Sequence, residues 1–167
     1  MNQNEFYAEY MRIEHQNKLI MNNTGKIPTE LISLSCQSAC LSICGSLEHC
    51  LKLIFVEYAK RKSGNKLNSA IAKLCNSFQN PNARKILDLV KLFDEEFGRE
   101  LEALWSKDNE SEKSYLDNLV DDGHSIAHRK RPHVNVTLKK LDDYFKAYKA
   151  LLTRIRDHFL NNTAAAR

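Results

Sequence analysis

Leu138, Leu141, Phe145, Tyr148, Leu152, Ile155 and Phe159 follow one another at alternating spacings of three and four residues, without a miss. Only an α-helix puts side chains with that spacing on one side. The pattern predicts a long helix from about Leu138 to Leu160. Its apolar seam needs a neighbouring helix or a partner subunit to cover it. The chain has 5 Gly and 3 Pro in 167 residues, so turn-forming residues are scarce and many short strands are excluded.

Helical spacing recurs upstream. A first segment, about Glu5–Met21, carries Phe6, Tyr10, Ile13 and Ile20 and stops at Asn22-Asn23-Thr24-Gly25. A second runs from Pro28-Thr29 to about Lys62, with Gly45 marking a bend and Leu47, Leu51, Ile54, Phe55 and Tyr58 as its apolar stripe. A third spans about Leu67–Phe78 and ends at Asn80-Pro81-Asn82. A fourth, Ala83 to about Trp105, uses Ile86, Val90, Phe93, Phe97, Leu101 and Leu104 and runs through Gly98. A fifth begins near Glu112. No segment shows sustained strand alternation, no repeat appears, and no Pro/Ser-rich linker divides the chain. The expectation is an all-α, up-and-down bundle of five to six helices in a single domain over 1–167. In it, 1–27 form an N-terminal helix and turn, and 161–167 form a tail.

Hydrophobic residues at 43% and charged residues at 28% describe a chain able to bury a core, which excludes a disordered one. A net charge of +4 is too small for a wholly basic nucleic-acid binder. The charge is instead local. Arg129, Lys130 and Arg131 stand together, while Asp94, Glu95, Glu96, Glu100 and Glu102 crowd another segment. A basic edge on a near-neutral body suits a phosphate-bearing partner met at one place, although a solvated loop carries the same pattern. No run of about 20 apolar residues reads as a membrane span. The stretch Met1–Phe6 has neither a basic region nor an apolar core, so no signal peptide is expected. Five cysteines then read as reduced thiols in a cytoplasmic protein. Cys36, Cys40 and Cys44 recur every four residues. Zinc sites favour a tighter Cys pair and need a fourth ligand, so buried thiols lining a helix contact are the expectation, with no metal or other cofactor.

Chemistry concentrates between Asp121 and His133, where three histidines and three cations fall within thirteen positions. On a helix, Leu116, Leu119, Val120, Ile126 and Ala127 share one arc. His124 and His128 lie at its border, near Asp117 and Asp121, where Asp121 is placed to orient His124. Imidazoles beside fixed positive charge can hold a phosphate and move protons at neutral pH. Ordinary boundary histidines or a His-x3-His metal pair would show the same spacing. Gly123 is anomalous, because glycine inside a helix costs about 1 kcal/mol relative to alanine.

Gly-His-Ser-Ile-Ala-His, residues 123–128, resembles the motif of the HEPN superfamily (Arg, four to six residues, then His, ahead of the last helix) at every position except the arginine. Ser46-Leu47-Glu48, Phe78-Gln79-Asn80 before Ile86-Leu87-Asp88, and Phe97 extend the resemblance to the RiboL-PSP-type HEPN branch, over roughly residues 45–160. Glu48 reads by itself as an exposed helix-surface acid. The resemblance implies a small helical bundle, a homodimer with two motifs facing one cleft, and a metal-independent endoribonuclease of toxin or phage-defence systems. His128 would be the principal catalytic imidazole, His124 its polar neighbour, Gly123 the vacant arginine position, and Arg129, Lys130 and Arg131 the RNA phosphate contacts. The partners implied are RNA, a second copy of the chain, and an antitoxin or defence component. Three readings of the missing arginine stay open. Arg129 or Arg131 replaces it; the chain is a non-catalytic binding module; or the arginine was lost from an active nuclease. The poor fit of glycine to a helix favours the last.

Overall fold

The computed structural model describes residues 3–62, 65–108, 111–128 and 134–161, with the side chains of 3–4 and 65–68 excepted. The described residues form seven α-helices and no strand: α1 (Gln3–Asn22), α2 (Thr29–Lys62), α3 (Asn65–Ser77), α4 (Ala83–Phe93), α5 (Glu95–Lys107), α6 (Ser111–Ala127) and α7 (Leu138–Arg156). A π-helical turn, Asp157–Asn161, extends α7. The fold is an all-α helical bundle.

The 34-residue α2 is its axis and packs against α1, α3, α6 and α7. Leu47, Leu51, Ile54 and Phe55 are fully buried, as their stripe predicts. Gly45 does not interrupt the helix and stands in open space at the surface. By length and composition α2 would be apolar enough to cross a membrane, with mean hydropathy 1.5 over an 18-residue window. This departs from the expectation that no such run exists. Half of that window is buried inside the bundle, where a central helix needs apolar surface on several sides.

The seam on α7 is consumed within the chain. Leu141, Phe145, Tyr148, Leu152, Ile155 and Phe159 are buried in the core shared with α2 and α6. Of the two coverings open to the seam, a neighbouring helix provides it. Thr137 caps α7 by accepting the Lys140 N–H at 3.2 Å.

One expected helix is two. The chain breaks at Asp94, whose extended backbone (φ −155°, ψ 101°) separates α4 from α5. Its carboxylate accepts the Phe97 N–H at 3.0 Å, capping α5 just ahead of Glu95 and Glu96. The return brings Gly98 onto Lys91. A Cβ on Gly98 would collide with that side chain and lie 3.2 Å from its Cα. The apolar spacing runs through the break because both helices face the same core, which hid it from periodicity alone.

Candidate active site on helix α6

Helix α6 presents two faces. Leu116, Leu119, Val120, Gly123 and Ser125 are buried, whereas Ala127, expected on the apolar arc, is exposed. Asp122 is also buried, 6% exposed. It accepts the Tyr144 hydroxyl at 2.7 Å and faces Lys140 Nζ at 3.3 Å, so a carboxylate inside the bundle keeps both a hydrogen bond and a counter-charge. This ties α6 to α7 one residue before the motif. Burial, then the Asp122 bond, push the Tyr144 phenol well above its ordinary value.

Gly123 meets α2. A Cβ at this position would lie 3.2 Å from Cys44 Cβ and 3.3 Å from its Sγ. The glycine therefore has a packing role of its own, which removes the argument that a helix would simply avoid it. The cysteine stripe forms the opposite surface. Cys36 and Cys40 are fully buried, and the Cys40 thiol lies 3.9 Å from the Leu119 carbonyl oxygen on α6. Burial, then neighbouring Asp122, push Cys40 up to about 12; burial, then Glu48, push Cys44 up to about 11. These are protonated thiols filling a helix contact. Among the described residues, no three His, Cys, Asp or Glu side chains cluster as a metal site.

His124 and His128 lie together at the C-terminal end of α6. Their ring centroids are 4.4 Å apart with planes inclined at 55°, and the His128 N–H donates to the His124 carbonyl at 3.1 Å. His128 is exposed and His124 half-buried. His124 lines a groove of about 360 Å³. From α6 the groove also receives Lys113, Asp117, Val120 and Asp121, one helical face at spacings of three and four. Its other wall is Asn80, Asn82, Arg84 and Lys85, from the turn before α4 and from its first residues.

That wall is built by interactions distant in sequence. Asp117 accepts the Ala83 N–H at 2.8 Å, placing a carboxylate on the positive end of α4. Asn82 caps α4 by accepting the Lys85 N–H at 2.9 Å. Asn80 takes a left-handed backbone, φ 49°, which asparagine tolerates better than most residues. Its N–H donates to Glu48 at 3.2 Å, and Lys52 also holds Glu48 at 2.8 Å. Glu48 is thus a half-buried anchor for the turn rather than the plain surface acid its sequence context suggests. It joins Ser46-Leu47-Glu48 to Phe78-Gln79-Asn80, the two upstream motifs. The wall residues carry no local signature beyond a helix breaker, so sequence reasoning passed over Asn82, Arg84, Lys85 and Lys113.

Arg129, Lys130 and Arg131 lie outside the described residues. The points flanking them are placed. Upstream is His128, and downstream Val134 is buried with its carbonyl accepting Gln37 Nε2 of α2 at 3.0 Å.

The family model RiboL-PSP-HEPN matches residues 7–161. This chain belongs to the RiboL-PSP-HEPN family. The match covers all seven helices except the first residues of α1, and so extends further toward the N-terminus than the motifs alone. No curated protein and no solved structure matches the chain.

Proposed function

We propose that this HEPN domain is a metal-independent endoribonuclease, a toxin or phage-defence component that works as a cytoplasmic homodimer. The observation that carries the reading is the paired placement of His124 and His128: rings 4.4 Å apart, one exposed, the other lining a groove with cations. In the proposed reaction the RNA 2′-OH attacks the adjacent phosphorus. One imidazole takes the hydroxyl proton as the O2′–P bond forms. A second gives a proton to O5′ as the P–O5′ bond breaks. The products are a 2′,3′-cyclic phosphate and a 5′-hydroxyl. The nucleophile is part of the RNA, so the chemistry asks only for positioned proton carriers, commonly a 10²–10⁴-fold effect. His128 is assigned the principal role and His124 the assisting one, with Arg129, Lys130 and Arg131 as phosphate contacts.

Gly123 supports a second reading. Loss of one preorganised donor at a developing charge typically costs on the order of 10²–10³ in rate. A position fitted to Cys44 without a side chain suits a non-catalytic module that binds RNA or an antitoxin-like protein.

Incubating the purified protein with single-stranded RNA in excess chelator separates the two. Fragments ending in 2′,3′-cyclic phosphate, absent with His128→Ala, are the expected result. Intact RNA retained equally by both proteins would establish the binding module instead.

A further inference from the structure

Leu31, Leu34, Ser38, Leu41 and Gly45 of α2 follow one another at spacings of three, four, three and four, the spacing of a helix-pairing seam. All five are exposed, the leucines by 51%, 60% and 37%. The seam lies opposite the face that buries Cys36, Ala39, Cys40 and Ile43 in the core. No Asp, Glu, Lys or Arg occurs from Leu31 to Leu47. A surface helix ordinarily turns charged residues to water, so this face is fitted for cover. Leu19 of α1 adds to it. That helix runs back along α2 from the Glu5–His49 contact at 3.6 Å, which sets Leu19, also exposed, level with Leu34. We propose that the α2 seam pairs with the same seam of a second copy, antiparallel, about a two-fold axis midway between Ser38 and Leu41. This rests on the homodimer of the reading above and not on its nuclease chemistry.

Size identifies the occupant. An axis at that level sets Leu34 against Gly45 of the second copy and Leu41 against its Ser38. Each leucine then enters a gap left by a small residue, and the two-fold repeats the fit. Ser38 shows that such a gap tolerates a small side chain, so alanine at Gly45 leaves the pairing intact. Charge agrees with size. A charged side chain near a two-fold axis meets its own like, so a seam without charge suits a copy of itself, whereas a partner of opposite charge would call for a charged one.

The pairing also arranges the imidazoles. Helix α6 lies on one flank of α2, where the Leu119 carbonyl meets the Cys40 thiol and Gly123 meets Cys44, level with the proposed axis. A two-fold axis running across an antiparallel helix pair keeps each flank on its own side. Both α6 helices, each with its His124–His128 pair, therefore lie along the same side of the dimer.

The test is sedimentation equilibrium of the full chain over a concentration series, with the double variant Leu34→Lys/Leu41→Lys. Leu92→Lys, at an exposed position on α4, is the control, and melting curves check folding. The seam requires a wild-type dimer whose Kd rises at least about a hundredfold in the double variant and is unchanged in the control. Orientation is read by disulfide formation. Leu34→Cys and Gly45→Cys, mixed and oxidised, should give a linked dimer. Neither alone should link more than wild type, because the two copies of one position lie roughly 16 Å apart along antiparallel helices. The same pairing decides the matter if the lysines unfold the chain. A wild-type dimer that the double variant leaves at full strength overturns the seam, and the homodimer stands on another face. Links formed within each cysteine variant alone overturn the antiparallel arrangement. A wild type that is monomeric at every concentration overturns the seam and the homodimer together.

Discussion

Gly123 of α6 rests directly on Cys44 of α2, so closely that the first carbon of any side chain would lie 3.2 Å from the cysteine Cβ. The position at which the resemblance to the HEPN motif would place arginine is here a helix crossing.

Of the helical glycines, Gly45 and Gly123 should respond oppositely to alanine. Gly45 has open space around it, so Gly45→Ala should stabilise by about 1 kcal/mol through helix propensity alone. At Gly123 the same propensity gain is offset by displacement of Cys44, and Gly123→Ala should be neutral or destabilising. Urea midpoints compare them directly, and equal gains at both positions would contradict the packing role of Gly123.

Gly123→Arg would complete the resemblance to the HEPN motif, at a structural cost. It should lower the melting temperature, and the loss should shrink in a Cys44→Gly background, giving a measurable coupling in a double-mutant cycle. If the nuclease reading holds, expressing Gly123→Arg should arrest bacterial growth, and adding His128→Ala should relieve the arrest. Additive stability effects would show that the two positions do not press on one another.

Asp94 predicts an acid-side effect. Burial raises its pKa, but the Phe97 N–H and His158, whose Nε2 lies 2.9 Å away, outweigh that and hold it below the ordinary 3.8. A depressed carboxylate stabilises above the unfolded value and loses its contribution as pH falls through the folded one. Asp94→Asn keeps a capping side chain but loses the charge facing His158. It should cost on the order of 1 kcal/mol at neutral pH. The difference from wild type should fade below about pH 3.8. A gap that persists at lower pH would assign the loss to packing.

On the alkaline side, Tyr144 and the buried thiols act together. Burial raises Tyr144 above its ordinary 10 and lifts Cys40 to about 12 and Cys44 to about 11 from 9.0. With folded values raised, the unfolded chain loses protons first, and stability falls as pH rises from about 9. Tyr144→Phe should lower stability at neutral pH by about 1.5–3 kcal/mol, because buried Asp122 loses its 2.7 Å donor. The same variant should flatten the decline above pH 10. An unchanged alkaline slope in denaturation titrations would show that Tyr144 has no part in it.

The alternating spacing at Leu138–Phe159, the Leu47–Phe55 stripe and the scarcity of Gly and Pro determined the helices and their buried faces, because helix periodicity is a local property of the chain. The same holds for the closeness of His124 and His128, which follows from a separation of four. What lay beyond reach was set by residues far apart in sequence. Asp94 divides a continuous apolar pattern by capping a new helix, and both halves return to one core. Glu48 finds the Asn80 N–H thirty-two positions away, and Asp117 finds the Ala83 N–H thirty-four positions away. Those two bonds build the wall of the His124 groove. Gly123 looks like a defect in one dimension and becomes a fitted contact in three. Local propensity decides what each segment becomes, whereas hydrogen-bond satisfaction and close packing between segments decide which surfaces meet, and only the assembled bundle brings those partners together.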